Sequence, residues 1–351
     1  MKRTDYKKIA KKNSKKRTVL KVFLSVAIIA FLSVVGYGVY IQQKVNSAAD
    51  RAYEALDERT KSVLREEAVE PLKDNVSILF IGIDESEKRK EDGSPRSDAL
   101  LVATLNNKEK TVNLLSIPRD SYVYDPNRDR SDRINHAHAF NGTKGTIDTV
   151  ENLLDIPIDY YVKMDFNAFI DVVDAVGGIT AEVPYDYLEL DENDQRTIEL
   201  KKGEQHLDGR HTLALARTRK LDSDVERGKR QQMILNAIMK EAFSVKSITK
   251  VGDIIDAVGN NMKTNMTYSE MKSFLEYAKG GLPEVNMLHL EGYDDENWLK
   301  NGGPYYWQLD EDALEELKYE LKVHLGISAY NSTLTDSTSA EDKVFGEASE
   351  D

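Results

Sequence analysis

The chain has 351 residues, 61 of them Asp or Glu against 48 Lys or Arg, for a formal charge of −13. That balance argues against non-specific binding to a polyanion, so nucleic acid is excluded as an expected partner. No cysteine is present, which excludes a disulfide framework and a thiolate metal site and leaves a hydrophobic core to hold the fold.

Residues 1–21 carry ten Lys or Arg and one acid, Asp5. Residues 22–41, VFLSVAIIAFLSVVGYGVYI, form an uncharged, mostly apolar run of 20 residues, about the length a helix needs to cross a hydrocarbon core. Cations before such a span predict an uncleaved membrane anchor with its N-terminus in the cytoplasm. Without the tail's net +9 the rest of the chain carries −22, so basic clusters outside the membrane are local features. Residues 42–72 are polar with spaced apolar positions and no glycine; they predict a helical stalk ended by Pro71. One large domain is expected over 73–328. The Ser-, Thr- and acid-rich stretch 329–351 predicts a disordered tail.

Three short apolar runs open the domain: VSILFIGI (76–83), ALLVATL (99–105) and TVNLLSI (111–117). Continuous apolarity predicts strands covered on both faces, and NNKEK (106–110) predicts a hairpin between the second and third. DFNAFIDVVDAVGG predicts a helix capped by Asp165 and stopped by Gly177 and Gly178. ITAEVP reads as another strand. Asp208 or Gly209 starts a helix through RHTLALA, and Asp224 caps a longer one. Further helices are expected over 248–258, 269–279 and 311–325. This interleaving predicts a three-layer α/β/α sandwich with a central mixed sheet.

Strand geometry then gathers charge. Asp84 follows the first strand and Asp98 precedes the second; if these run antiparallel, both carboxylates lie at one end of the sheet. The hairpin returns the third strand to that end and delivers Arg119, in IPRD, beside Asp98, with Arg96 in the same loop. Paired carboxylates near arginines fit Mg²⁺ on a phosphorylated ligand. They equally fit turn caps and surface ion pairs, and spacing alone leaves both readings open.

LARTRKLDSDVERGKRQQ (215–232) concentrates guanidinium groups in an acidic chain. Arg227 and Gln231 stand one turn apart, in line with Ile234, Leu235 and Ile238, so Arg227 continues a buried stripe and needs an anion. Lys229 and Arg230 lie off the stripe and are expected on a solvated face. Arg217 and Arg219 leave the preceding helix on one side of an extended backbone. The stretch therefore predicts an anion cradle. His136 and His138, in RINHAHAF, have a spacing that fits zinc from a strand or the packing of a loop. GPYYWQL (303–309) reads as packing or as an aromatic platform for sugar.

ILFIGID, RSDALLVATL, LLSIPRD, RINHAHA, DVVDAVGGI, LDGRHTLALARTR and ERGKRQQ, in that order behind an anchor, resemble the LytR–CpsA–Psr family. The resemblance covers about 76–243 and implies an α/β/α fold. It implies a membrane-anchored, Mg²⁺-dependent phosphotransferase, with Mn²⁺ as an alternative ion. Such an enzyme moves an anionic glycopolymer, a teichoic acid or capsular polysaccharide, from undecaprenyl pyrophosphate to peptidoglycan outside a Gram-positive type cell membrane.

On this resemblance Asp84, Asp98 and Arg119 are catalytic, Asp84 and Asp98 being the metal ligands. Arg119, Arg217, Arg219 and Arg227 grip the pyrophosphate, supported by Arg96 and Gln231, and Arg133 stands where the family commonly has Lys. An apolar groove for the prenyl chain is implied, with Phe166, Phe169, Ile170 and Val173, or Ile234, Leu235, Ile238 and Met239, as possible linings or ordinary core. Asp98 or Asp120 would orient the acceptor hydroxyl. A prenyl pyrophosphate hydrolase and a non-catalytic lipid-binding or membrane regulatory protein are the alternatives.

Overall fold

A computed structural model of the chain describes residues 36–56, 59–83, 95–191, 195–218, 223–242, 251–277, 281–294, 299–300 and 302–327. The strands are β1 (Val76–Ile83), β2 (Ser97–Asn106), β3 (Thr111–Ile117), β4 (Tyr122–Asp125), β5 (Arg130–Arg133), β6 (Tyr160–Met164) and β7 (Ile179–Val183). They continue as β8 (Tyr187–Leu190), β9 (Arg196–Leu200), β10 (Gly203–Leu207), β11 (Met262–Thr264), β12 (Glu284–His289), β13 (Gly292–Asp294) and β14 (Trp307–Leu309). The helices are α1 (36–52), α2 (Asn135–Leu154), α3 (Phe166–Val176), α4 (Gly209–Arg217), α5 (Asp224–Ala242), α6 (Val251–Asn261), α7 (Tyr268–Tyr277) and α8 (Glu311–Leu325).

Six strands form the central sheet in the order β11-β6-β1-β2-β3-β12. β1 runs antiparallel to β2 and parallel to β6, and β3 runs antiparallel to β2 and parallel to β12, so the sheet is mixed. The apolar runs have no polar face because both sides are covered. Leu79, Ile81, Leu100, Val102 and Leu115 meet Ile147, Val150 and Leu154 of α2 and Leu317 and Leu321 of α8. On the other face Ile78 and Phe80 meet Met271 and Phe274 of α7, while Leu101, Ala103 and Leu114 meet Leu235 of α5. The mixed α/β fold expected from the sequence is the one observed, with helices on both faces of the sheet.

Several local expectations need revision. RINHAHAF opens α2 instead of a strand or loop. His136 bonds Asp132 at 3.0 Å and His138 bonds the Pro95 carbonyl at 2.9 Å, so the two imidazoles serve different partners. No group of three or more candidate metal ligands occurs among the described residues.

The segment expected as a continuous helical stalk is helical to residue 52; among the described residues from 53 to 72 no helix follows. Buried carboxylates hold it to the domain. Arg59 and Ser62 donate to Glu151 at 2.6 Å each, and Arg65 donates to Asp159 at 2.8 Å. Such charge-assisted bonds offset the loss of helix. Among the described residues no helix is long and apolar enough to cross a membrane; of the expected span 22–41, only 36–41 lies within them.

α1 docks through its small residues. Ala48, Ala49 and Ala52 are buried, and Lys44 pairs with Asp256 of α6 at 2.7 Å. Gly259 permits the approach: a Cβ there would lie 2.5 Å from Cα and Cβ of Ala48. Gly259→Leu is therefore expected to cost about 1–3 kcal/mol through overpacking and to release α1. Faster tryptic cleavage at Lys44 and Arg51 in the full chain would report that release.

α8 carries a buried titratable group. His324 Nδ1 bonds Thr104 Oγ1 at 2.8 Å and Nε2 bonds Thr111 Oγ1 at 2.9 Å. Burial pushes its pKa below the ordinary 6.5, with Glu109 opposing the shift weakly. A depressed histidine pKa means that, below pH 6.5, the unfolded chain takes up a proton the folded chain refuses. Stability is expected to be full above that pH and to fall as pH drops through it. His324→Gln should flatten this acid limb of the melting temperature against pH.

Candidate active site at the rim of the sheet

The ends of β1, β2 and β3 meet as the strand pattern requires. Ile83 pairs with Ser97, and Leu100 pairs with Ile117, so the end of β1, the start of β2 and the end of β3 share one edge. Arg119 Nη1 donates to Asp98 Oδ1 at 2.6 Å, with the two side chains 19% and 18% exposed. Arg119 Nε lies 3.4 Å from Asp120 Oδ2, and its backbone N–H donates to Asp224 Oδ2 at 3.2 Å. Burial works against the Arg119 charge, but Asp120, Asp98 and Asp224 outweigh it and raise the pKa above its ordinary value. A guanidinium so held stays charged at any pH the protein meets.

α5 brings the second set of cations. Its Ser223 supplies the N-cap expected of Asp224, accepting the Glu226 N–H at 3.3 Å. Asp224 instead turns inward and pairs with Arg227 Nη2 at 2.6 Å. The buried Arg227 does have its anion, and that anion is a carboxylate that also fixes the Arg119 backbone.

Arg230, expected on a solvated face, is buried: its guanidinium donates to the Leu215 carbonyl at 3.3 Å and the Thr218 carbonyl at 2.5 Å. The unsatisfied carbonyls at the α4 terminus attract a cation there. Lys229 is exposed and pairs with Glu226, as expected. Arg217 closes the group, stacked with Cζ 4.4 Å from the Phe166 ring centroid and donating to the Asp191 carbonyl at 3.0 Å.

These polar groups border a cavity of about 760 Å³ between the sheet, α3 and α5. Arg227, Gln231, Ile234, Leu235, Ile238, Met239 and Ala242 all line it, the spacing of one helical stripe. From Arg227 to Ala242 the stripe runs about 22 Å at 1.5 Å per residue. Asp98, Arg119, Arg217 and Arg227 sit with Gln231 at its polar end, while Phe80, Leu101, Val162 and Phe169 supply apolar wall.

Of the groove residues anticipated, Phe166, Phe169, Ile234, Leu235, Ile238 and Met239 line the cavity; Ile170 does not, and Val173 is core. Arg133 points to Asp120 at 3.8 Å and, like exposed Arg96, lies outside the lining. Asp84 and Arg219 fall outside the described residues. Sequence reasoning overlooked Asp224 as a partner of both arginines; its position three residues before Arg227 was the available signal.

The arrangement suits an amphiphile: guanidiniums for phosphate oxygens at the mouth and an apolar bore behind. For a hard divalent ion the donor chemistry fits. Asp98 and Asp120 offer carboxylates beside Arg119, and the buried Oδ1 of Asp120 accepts no hydrogen bond.

Comparison with known proteins points the same way. The polyisoprenyl-teichoic acid–peptidoglycan teichoic acid transferase TagT of Bacillus subtilis (strain 168) is 39% identical over 320 residues, covering 89% of this chain and 98% of TagT. A solved structure described as TagT bound to LIIa-WTA superposes with a TM-score of 0.66 at 37% identity, over 78% of this chain and 99% of that one. Another, the LytR-CPS2A-psr family protein YwtF (TagT) with bound octaprenyl pyrophosphate lipid, gives 0.62 at 35% identity over 78% and 99%. The LytR_cpsA_psr family model matches residues 39–323. An arginine-rimmed cavity on a mixed sheet, in a chain matched over nearly all of its folded length, thus belongs to a member of the LytR–CpsA–Psr family.

Proposed function

We propose that this chain transfers an anionic glycopolymer, of the teichoic acid class, from an undecaprenyl pyrophosphate carrier to peptidoglycan. The observation that carries the reading is the cavity: an apolar bore about 22 Å long along α5 ends at Arg119, Arg217 and Arg227. TagT, 39% identical, is named a polyisoprenyl-teichoic acid–peptidoglycan teichoic acid transferase, and a TagT structure holds octaprenyl pyrophosphate.

Phosphoryl transfer asks chiefly for positioning and charge neutralisation. The prenyl chain would occupy the bore, leaving the diphosphate against the guanidiniums. An acceptor hydroxyl on peptidoglycan attacks the phosphorus that bears the sugar. The P–O bond to the prenyl phosphate breaks, a phosphodiester to peptidoglycan forms, and prenyl phosphate departs. Arg119, Arg217 and Arg227 would stabilise charge on the leaving phosphate. Asp98 and Asp120, on either side of Arg119, are the candidates for taking the hydroxyl proton.

Asp98, with Asp84 or Asp120 as the second carboxylate, would hold Mg²⁺, which when bound neutralises charge on the diphosphate. Residues 22–41 would anchor the N-terminus in the cell membrane with the domain outside, confining enzyme and donor to one surface.

Product analysis tests the reading. Purified full chain, given a prenyl-pyrophosphate-linked glycopolymer and Mg²⁺, should form polymer–peptidoglycan phosphodiester only when a peptidoglycan acceptor is supplied. Water-derived product alone, whatever acceptor is added, would end the transferase reading in favour of hydrolysis.

A further inference from the structure

The segment 303–309 sits closer to the arginine rim than its sequence position suggests. Trp307 donates its backbone N–H to the Asp120 carbonyl at 2.9 Å, and Ser121 forms a bridge to Trp307. This holds the Tyr306 ring on Tyr122, with centroids 4.7 Å apart and planes inclined by 58°. Tyr122 begins β4 only two residues after Asp120 and remains 39% exposed. Tyr305 is also part-exposed and donates to Asp294 Oδ1 at 2.8 Å. None of the three tyrosines lines the apolar cavity.

We infer that Tyr122, Tyr306 and Tyr305 form a saccharide subsite that seats the acceptor glycan strand beside Arg119. The inference rests on the transferase reading, which requires a hydroxyl acceptor at that rim. A pyranose ring presents an apolar C–H face and a hydroxyl edge, matching an exposed aromatic face beside hydrogen-bonding groups. Charge selects among possible occupants. Asp294 lies at Tyr305, and Asp129 accepts from the Tyr124 hydroxyl at 2.6 Å further along β4. Arg133, opposite Tyr122 in the β4–β5 ladder, points to Asp120. Arg130 and Arg133 of β5 offset these carboxylates, so the shelf offers no excess of cations to hold a polyphosphate strand, while its carboxylates accept hydrogen bonds from sugar hydroxyls. The occupant is therefore an uncharged N-acetylhexosamine backbone, with the prenyl donor held separately in the cavity.

A soluble, uncrosslinked peptidoglycan tetrasaccharide is the probe, used with the full chain in detergent. Saturation-transfer NMR reads binding without turnover, so the subsite is tested separately from the reaction. Wild type should bind the tetrasaccharide, and the Tyr122→Ala/Tyr306→Ala double variant should bind it at least tenfold more weakly. Tyr122→Phe, which keeps the ring, should bind as wild type. Tyr305→Ala alone provides a milder third variant; affinity for octaprenyl pyrophosphate should be unchanged in all three variants and certifies folding. In transfer assays the double variant should raise the acceptor KM about tenfold with little change in kcat. Absence of tetrasaccharide binding by wild type, or equal binding by the double variant, overturns the inference. Ring-dependent binding in a protein that makes only water-derived product would support the subsite while removing the transferase reading.

Discussion

Arg119→Ala is expected to lower kcat/KM for transfer by about 10³-fold, the scale associated with one guanidinium at a phosphoryl transition state. Arg119 donates to Asp98 at 2.6 Å, approaches Asp120 at 3.4 Å and borders the cavity mouth. Its removal takes away positive charge where the leaving phosphate would develop negative charge. It also leaves Asp98 and Asp120 without the guanidinium they share, so diphosphate should bind more weakly to a less positive rim. Arg119→Lys should restore only part of the rate, since an ammonium cannot reproduce planar two-point contact with phosphate. Steady-state kinetics with a prenyl-pyrophosphate donor would check both variants, and wild-type rates in Arg119→Ala would remove this residue from the chemistry.

Filling the bore should be nearly as damaging, and selectively so. Ile238 lines the apolar cavity about three-quarters of the way along the α5 stripe from Arg227, between Leu235 and Met239. Ile238→Trp would place an indole where the prenyl chain is proposed to run. Excluding one five-carbon isoprene unit forfeits about 4 kcal/mol at about 0.8 kcal/mol per buried carbon, or roughly 10³-fold in affinity. The donor KM for long prenyl chains should rise accordingly, whereas a donor short enough to stop before Ile238 should be used as by wild type. Equal loss for long and short donors would indicate distortion of the rim in place of a blocked bore.

Much of this geometry is legible in the sequence because it follows from strand arithmetic. β1 and β3 coincide with the runs 76–83 and 111–117, and the hairpin between β2 and β3 forces Arg119 back beside Asp98. The stripe from Arg227 through Ile238 follows from helical spacing and lines the cavity as a unit.

What escaped depends on distant partners. Arg230 looks solvated on a helical wheel, but the terminal carbonyls of α4 lie against it and bury it. Asp224 looks like a cap, yet the preceding Ser223 takes that role and frees the carboxylate for Arg227 and the Arg119 backbone. The polar stretch after residue 52 suggests helix by composition, but Glu151 and Asp159, nearly a hundred residues on, recruit Arg59 and Arg65 and hold it to the domain. Tertiary contacts of this kind override local propensity and leave no periodic trace.

At the centre of the account is one amphiphile lying along α5 with its phosphates among arginines. A crystal structure of the full domain soaked with octaprenyl pyrophosphate tests this directly. It should show the prenyl chain between α3 and α5, against Ile234, Leu235 and Ile238, and diphosphate oxygens within hydrogen-bond distance of Arg119, Arg217 and Arg227. Lipid bound elsewhere, or those three arginines still engaged only with Asp98, Asp191 and Asp224 while the cavity stays empty, would contradict it.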